Sequence, residues 1–335
     1  MNAAAREVRS AVAVAHSNIA LVKYWGKRDD TLILPDTGSL SLTLDVFPTT
    51  TSVTVDEALA ADEIVFDGAV ATGSPAARIT TFLDLVRAQA GTSARARVDT
   101  RNSVPTGAGL ASSASGFAAL AVAAADAYGL DLAEKDLSRL ARRGSGSACR
   151  SIIGGTAIWH AGTDDATSYA EHISGPDLGM VIAVVDATAK AVSSREAMQR
   201  TKSTSPYASG WVHAAEADLL LMQQAFAADD VSTIGAVTES NALRMHAAIM
   251  GCRPPIRYLA PQSIALFDAA ERLRRTGLEA YATADAGPNV VFVCRAADVD
   301  AVRDALIADE AAGMPADRLI AAHAGPGAHL IEAVA

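Results

Sequence analysis

Pro105-Thr-Gly-Ala-Gly-Leu-Ala-Ser-Ser-Ala-Ser115 has the residue types to hold a phosphate. Gly107 and Gly109 can take positive φ, and Pro105 stiffens the entry. Ser112, Ser113 and Ser115 offer hydroxyls to a phosphate oxygen or a Mg²⁺ ion. An Ala-rich helix expected from Ser112 to Tyr128 would aim its unpaired N–H groups and its positive dipole end back at this loop. A plain Gly/Ser turn before a helix has the same composition, and neither the P-loop nor the dinucleotide pattern is matched.

Cations form the second chemical theme. Lys23 and Lys27 sit with Asn18 among Ile19, Leu21, Val22, Tyr24 and Trp25, where a solvated lysine face would normally alternate with other polar residues. The mixture fits partly buried cations that await an anion, and it also fits a strand end with snorkelling lysines. Arg78 falls in the first turn of an expected helix, against the helix dipole, so an anionic partner is one reading and an exposed arginine the other. Gly144-Ser-Gly-Ser-Ala-Cys-Arg150 resembles a second anion pocket, in which small residues allow close backbone approach and Arg150 offers a planar fork. An apolar run, Ser151 to Trp159, follows at once and places Arg150 near the interior. Asp285 stands in a tight turn between two apolar runs, a place where aspartate commonly just satisfies local N–H groups.

The elements that must position these residues follow from periodicity. Strands are expected at Val12–Ala15, Ala96–Thr100, Gly179–Val185, Glu279–Thr283 and Val290–Cys294. A β-hairpin is expected with its turn at Phe47–Thr50. Helical spacing marks Ala76–Ala90, Leu132–Arg143, Trp211–Phe226, Val231–Met250 and Pro261–Thr276. The change of character at Asp186–Arg195 places a domain crossover there, giving units 1–187 and 188–335.

Composition narrows the function classes. The 335 residues allow two domains and a substantial core, and with half of them apolar and a fifth charged the chain reads as an ordinary globular protein. A formal net charge of −10 argues against a general nucleic-acid or membrane-surface binder. Cys149, Cys252 and Cys294 are odd in number and far apart, so neither a disulfide framework nor a zinc site is expected, and a reducing, cytoplasmic compartment is. Met1–Ser10 lacks the apolar core of a signal peptide, and the seven histidines show no metal-ligand spacing.

Five segments, taken in order, carry a resemblance. His16-Ser-Asn-Ile-Ala-Leu-Val-Lys-Tyr-Trp-Gly-Lys-Arg28, the loop 105–115, Gly144-Ser-Gly-Ser-Ala-Cys-Arg-Ser151, Val192-Ser-Ser-Arg195 and Asp285-Ala-Gly-Pro-Asn289 together resemble the diphosphomevalonate decarboxylases of the GHMP kinase superfamily over nearly the whole chain. The resemblance implies an α+β GHMP kinase fold, with an N-terminal ribosomal-protein-S5-like α/β domain, a C-terminal ferredoxin-like α+β domain and a cleft between them. It implies ATP and Mg²⁺ as cofactors, 5-diphosphomevalonate as substrate, isopentenyl diphosphate, CO₂, ADP and phosphate as products, and a homodimer.

By the same resemblance Asp285, Arg150 and Lys23 would be catalytic. Asn18, Tyr24, Trp25, Gly26, Lys27, Arg78, Ser145, Gly146, Ser147, Ala148, Cys149, Arg150, Lys190, Ser194 and Arg195 would hold the substrate. Thr100, Asn102, Pro105, Gly107, Ala108, Gly109, Leu110, Ala111, Ser112, Ser113 and Ser115 would hold ATP, with Ser112 on its Mg²⁺. Pro35-Asp-Thr-Gly-Ser39 and Arg195 depart from the common pattern, which would alter the grip on the diphosphate end and leaves 5-phosphomevalonate open as substrate. The competing readings are a kinase that stops after phosphorylation and a metabolite-sensing module without turnover. A dinucleotide oxidoreductase fits poorly, because the loop lacks the third glycine of that fingerprint.

Overall fold

A computed structural model describes residues 9–103, 112–186 and 192–332. The elements run β1 (Arg9–Val22), β2 (Lys27–Asp29), β3 (Leu34–Pro35), β4 (Ser39–Asp56), β5 (Glu63–Phe66), β6 (Ala69–Val70), α1 (Gly73–Ala90), β7 (Arg95–Asn102), α2 (Ser112–Ala127), α3 (Glu134–Gly144), α4 (Ala148–Ser151), β8 (Thr156–Trp159) and β9 (Ala170–His172). They continue with β10 (Leu178–Ala183), α5 (Ser194–Thr204), α6 (Ala208–Ala227), α7 (Val231–Met250), α8 (Pro261–Arg275), β11 (Tyr281–Thr283), β12 (Val290–Arg295), α9 (Val299–Ala308), β13 (Leu319–His323) and β14 (His329–Ile331).

Two sheets organise these elements. The first has the path β14-β1-β4-β7-β5-β6 with β8 and β9 attached beside β4, and the second is the antiparallel order β11-β12-β10-β13. Strand β10 pairs with β12 and β13, so the expected division at 187/188 would cut it from its own sheet. The last strand, β14, returns to pair with β1 in the first sheet.

The hairpin expected around Phe47 is absent, and β4 runs straight through that position. Both of its halves pair with β1, Pro48 opposite His16 and Thr43 opposite Asn18, and the residues between bulge out with Phe47 at φ 58°. The alternation broke as a turn would break it, but β1 is 14 residues long and supplies one partner to both halves.

That length lets β1 serve two cores. Ala11, Ala13 and Ala15 pack with α1 and with the Ala-rich α2, whose small side chains let it lie close on the sheet. Ile19, Leu21 and Val22 join Leu40, Leu42 and Leu44 in a second core with β10, β12, α6 and α7. Strand β10 alternates accordingly, with Met180 and Ile182 in this shared core and Val181 and Ala183 facing α8 and α9. A leucine-to-alanine change in the shared core is expected to cost about 2–5 kcal/mol. The end of β1 is thereby wedged between the two sheets, and Lys23 is the next residue. No helix among the described residues is long and apolar enough to cross a membrane.

Candidate active site

Lys23 sits where β1 has run out of strand partners. Its N–H donates to Asn241 Oδ1 at 2.8 Å, and its side chain turns back so that Nζ donates to the Ala20 carbonyl at 2.8 Å and to Asp285 Oδ1 at 2.7 Å. The lysine is 1% exposed and the aspartate 41%, so the pair has one member in the wall and one at the opening. Burial pulls the Lys23 pKa below the usual lysine range; the Asp285 carboxylate opposes that shift and the Arg150 charge adds to it. Behind Asp285, His246 Nε2 lies 3.3 Å from the Ala284 carbonyl. Burial lowers this imidazole to about 4, so it is neutral near pH 7 and donates to that carbonyl.

Arg150 comes from the four-residue helix α4, directly after the Gly/Ser segment. Nε donates to Asn18 Oδ1 at 3.2 Å and to Ser41 Oγ at 2.9 Å, and Nη1 donates to Ser39 Oγ at 2.6 Å. The guanidinium carbon lies 5.8 Å from the Trp159 ring centre. Asn18 is itself held, donating from Nδ2 to Ser151 Oγ and to the Ser147 carbonyl. Every one of these acceptors is neutral and Arg150 makes no ion pair with a described carboxylate, although the Asp285 charge in the same cleft favours its ionised form. Burial holds its pKa below the ordinary arginine value. Ser39 belongs to the segment expected to grip the diphosphate end; its hydroxyl instead positions Arg150.

These groups face one cleft of about 310 Å³, lined by Asn18, Lys23, Tyr24, Trp25, Lys27, Arg78, Ser113, Ser145, Gly146, Ser147, Arg150, Ser194, Arg195 and Asp285. Tyr24 packs edge-on against Trp159 at 4.8 Å, and a Cβ on Gly146 would lie 2.6 Å from its hydroxyl oxygen, which is why residue 146 has no side chain. At the far end Arg78 donates to the Gly144 carbonyl at 3.2 Å and covers Phe117. Partial desolvation of its head group and, after it, the nearby Arg195 charge lower its pKa. The anionic partner expected for Arg78 is not a protein carboxylate among the described residues. Ser193 caps α5 by accepting from the Glu196 N–H at 3.2 Å, and the first two residues of that helix, Ser194 and Arg195, line the cleft.

The structure corrects several expected contacts. Ala148 and Cys149 are fully buried in the first core and do not line the cleft, and burial pushes the Cys149 thiol up to about 12. Gly26 lines a neighbouring pocket instead and takes φ 122°, its carbonyl accepting from the Asp36 N–H. Trp25 borders the cleft but is tied down by Thr201 and by Trp211, whose Nε1 donates to its carbonyl. Lys27 is paired with Asp30 at 2.7 Å.

Of the expected ATP contacts, Ser113 lines the cleft and accepts from Ser145 Oγ at 3.3 Å. Ser115 is buried against Thr49 Oγ at 2.7 Å, Thr100 is within 3.1 Å of Thr51, and Asn102 Oδ1 accepts from Thr49. These three pair with the hydroxyls of Thr49 and Thr51 on β4 and do not line the cleft. Pro105, Gly107, Ala108, Gly109, Leu110, Ala111 and Lys190 lie outside the described residues, and Ser112 enters only as the first residue of α2.

Phosphates and Mg²⁺ fit what is present. Helix α2 has no acidic residue in its first turn and opens on the cleft beside Ser113, which suits an anion. No group of three or more His, Cys, Asp or Glu side chains among the described residues could hold a metal alone, so Mg²⁺ would rest chiefly on phosphate oxygens and water, the arrangement this ion favours.

Residues 15–170 match the family described as "Diphosphomevalonate decarboxylase-like N-terminal domain", and residues 180–318 match "Mevalonate 5-diphosphate decarboxylase C-terminal domain". The chain belongs to the diphosphomevalonate decarboxylase family. A Ganoderma lucidum diphosphomevalonate decarboxylase is 38% identical over 312 residues, 85% of this chain and 78% of that one. The mevalonate diphosphate decarboxylase of Staphylococcus aureus superposes with a TM-score of 0.92 at 39% identity, over 97% of this chain and 99% of that one. The structure of MDDEF in complex with MVAPP, AMPPCP and magnesium superposes with a TM-score of 0.91 at 43% identity, over 97% and 100%. The family's α+β fold of the GHMP kinase class is therefore the fold of this chain.

Sequence reasoning missed the contribution of α7. Asn241, Met245 and His246 stand behind or beside the Lys23–Asp285 pair, yet in sequence they read as part of an ordinary amphipathic helix. Ser41 was equally silent, since alternating serine in a strand usually marks the solvent face, and Ser39 was singled out only within the segment 35–39, for the diphosphate end rather than for Arg150.

Proposed function

We propose that Asp285, Lys23 and Arg150 divide the chemistry of one decarboxylation between them. The enzyme converts mevalonate 5-diphosphate and ATP to isopentenyl diphosphate, CO₂, ADP and phosphate. The observation that carries the division of roles is that Arg150, buried and held by three neutral acceptors, opens on the same cleft as the Lys23–Asp285 pair.

The hydroxyl on C3 is tertiary and a poor leaving group, so it is first phosphorylated. Its oxygen bonds to the γ-phosphorus, the bond from that phosphorus to the ADP oxygen breaks, and the hydroxyl proton passes to the Asp285 carboxylate. Phosphoryl transfer has a loose transition state and demands little prior proton removal, so an aspartate tempered by Lys23 serves as an aligning acceptor. Mg²⁺, when bound, offsets phosphate charge.

In the second step the C3–O bond breaks and phosphate leaves with the electron pair. The C1–C2 bond releases CO₂, and its electrons become the new double bond. Charge grows on the departing phosphate, where the Lys23 ammonium stands, while Arg150 holds the carboxylate so that the breaking bond lines up. In this reading Arg78, Arg195 and Ser194, which line the cleft, hold the diphosphate together with Lys190, and the loop that ends at Ser113 holds ATP. The free, buried cysteines support a cytoplasmic enzyme. We take it as a homodimer, and the pairing of β10 supports dividing its two units between His172 and Leu178.

The test is to follow ADP and CO₂ together from Mg²⁺, ATP and mevalonate 5-diphosphate, with 5-phosphomevalonate and mevalonate in parallel. Equal ADP and CO₂ from the diphosphate is expected. ADP without CO₂ would make the chain a kinase, and turnover of the monophosphate alone would reassign Arg78 and Arg195.

A further inference from the structure

Lys23 leaves β1 with its N–H beyond the last ladder pair of that strand, Val22 opposite Leu40. Among the described residues the acceptor it finds is Asn241 Oδ1, at 2.8 Å, on helix α7. Asn241 is fully buried, so water cannot stand in for it. A buried amide can present either its oxygen or its nitrogen, and the neighbour decides which. Here Nδ2 donates to Asp218 Oδ2 at 2.9 Å, a carboxylate that only accepts, which leaves the oxygen for Lys23. Asp218 is in turn held by Arg244 Nη1, at 2.6 and 2.7 Å from its two oxygens. Arg244 is half exposed at 48%.

We propose that Asn241 is a positioning residue for the reaction, oriented by Asp218 and Arg244, and that it acts by fixing the peptide from which the Lys23 side chain departs. The Lys23 side chain must curl back from that peptide to reach both the Ala20 carbonyl and Asp285, so a rotated peptide swings Nζ off the pair. The inference rests on the reading of Lys23 given above. It adds a surface arginine to the residues on which turnover depends, although Arg244 does not line the cleft.

The test is a double-mutant cycle on the full chain, with ADP and CO₂ release, KM values, pH profiles and melting temperature measured for each variant. Asn241→Ala is expected to lower kcat about 30- to 100-fold, the scale of a small misplacement of a reacting group. KM for both substrates should stay within about threefold, because no binding contact is removed. In a Lys23→Met background the same substitution should cost nothing further, since it acts through Lys23. The alkaline limb belonging to Lys23 should also move in Asn241→Ala, which a loss of packing alone would not cause. Arg244→Gln, on a half-exposed residue, should fold normally and lower kcat about three- to tenfold in the wild-type background and not in the Lys23→Met one; it carries the test if Asn241→Ala does not fold. Losses that multiply in the double variants, or a raised KM at unchanged kcat, would overturn the proposal while leaving the reading of Lys23 intact. Wild-type turnover in Lys23→Met would overturn that reading and the proposal with it.

Discussion

The cleft holds two kinds of cation. Lys23 and Arg150 are 1% and 2% exposed and are pinned by protein acceptors: a carbonyl, Asp285, two serine hydroxyls and an asparagine. Arg78 and Arg195 are exposed, have no carboxylate within 4 Å among the described residues, and rest on little more than one carbonyl and one aromatic face. The first pair is fixed before the substrate arrives, and its desolvation has already been met by the fold. The second pair repels itself until an anion enters. Substitutions at the reacting end should therefore lower kcat, while those at the diphosphate end should raise KM.

The largest effect is expected from Asp285→Asn, which keeps the shape of the side chain and removes the proton acceptor. Turnover should fall about 10²–10⁴-fold, the usual worth of a positioned acid–base group. ATP binding measured by calorimetry should remain. Near-normal turnover would falsify the assignment of Asp285 and leave Lys23 without its anionic partner in the chemistry.

Next comes Arg150→Lys, which keeps the charge and loses the fork that reaches Ser39, Ser41 and Asn18 together. A loss of about 10²–10³ in kcat is expected, comparable to removing one well-placed electrostatic contact. If Arg150 acts on the carboxylate, ADP should now outrun CO₂. Equal loss of both products would instead tie Arg150 to the phosphoryl step. Arg195→Ala should then raise KM for the diphosphate about 10- to 100-fold with kcat nearly unchanged, in line with losing one or two charge-assisted hydrogen bonds. A comparable fall in kcat would erase the distinction between the two ends of the cleft.

The same contrast explains what could be read without the structure. Arg150 and Lys23 stood out because a cation inside or beside an apolar run is chemically out of place, but for Lys23 and Asp285 the residues alone left a snorkelling lysine and an ordinary turn aspartate open, and only the family resemblance supplied a role. Helices α1, α6, α7 and α8 were legible from their periodicity, Val231–Met250 to the residue. The bulge at Phe47 was not, since a strand that changes register and a strand that turns back interrupt alternation alike, and only the length of β1 separates them. Nor was the membership of β10, whose continuous apolar run Leu178–Ala183 fits the middle of either sheet. Asn241 was hidden because its function lies in a hydrogen bond to a backbone N–H 218 residues away, and no local pattern records that.

The smallest effect is one of pH, and it sets activity against stability at a single residue. Burial holds the folded-state pKa of Lys23 below the 10.5 of an unconstrained lysine. Between those two values the unfolded chain binds more protons than the folded one, so stability rises with pH across that window as the cost of a buried ammonium is relieved. Catalysis needs that ammonium on the departing phosphate, so kcat should fall as pH rises through the same folded-state pKa. Melting temperature and kcat should thus move in opposite directions on the alkaline side, a modest divergence that Lys23→Met would abolish in both measurements. If wild-type kcat and melting temperature instead fell together above neutral pH, the loss of activity would be general unfolding. Lys23 would then belong with the cations that merely hold, rather than with those that act.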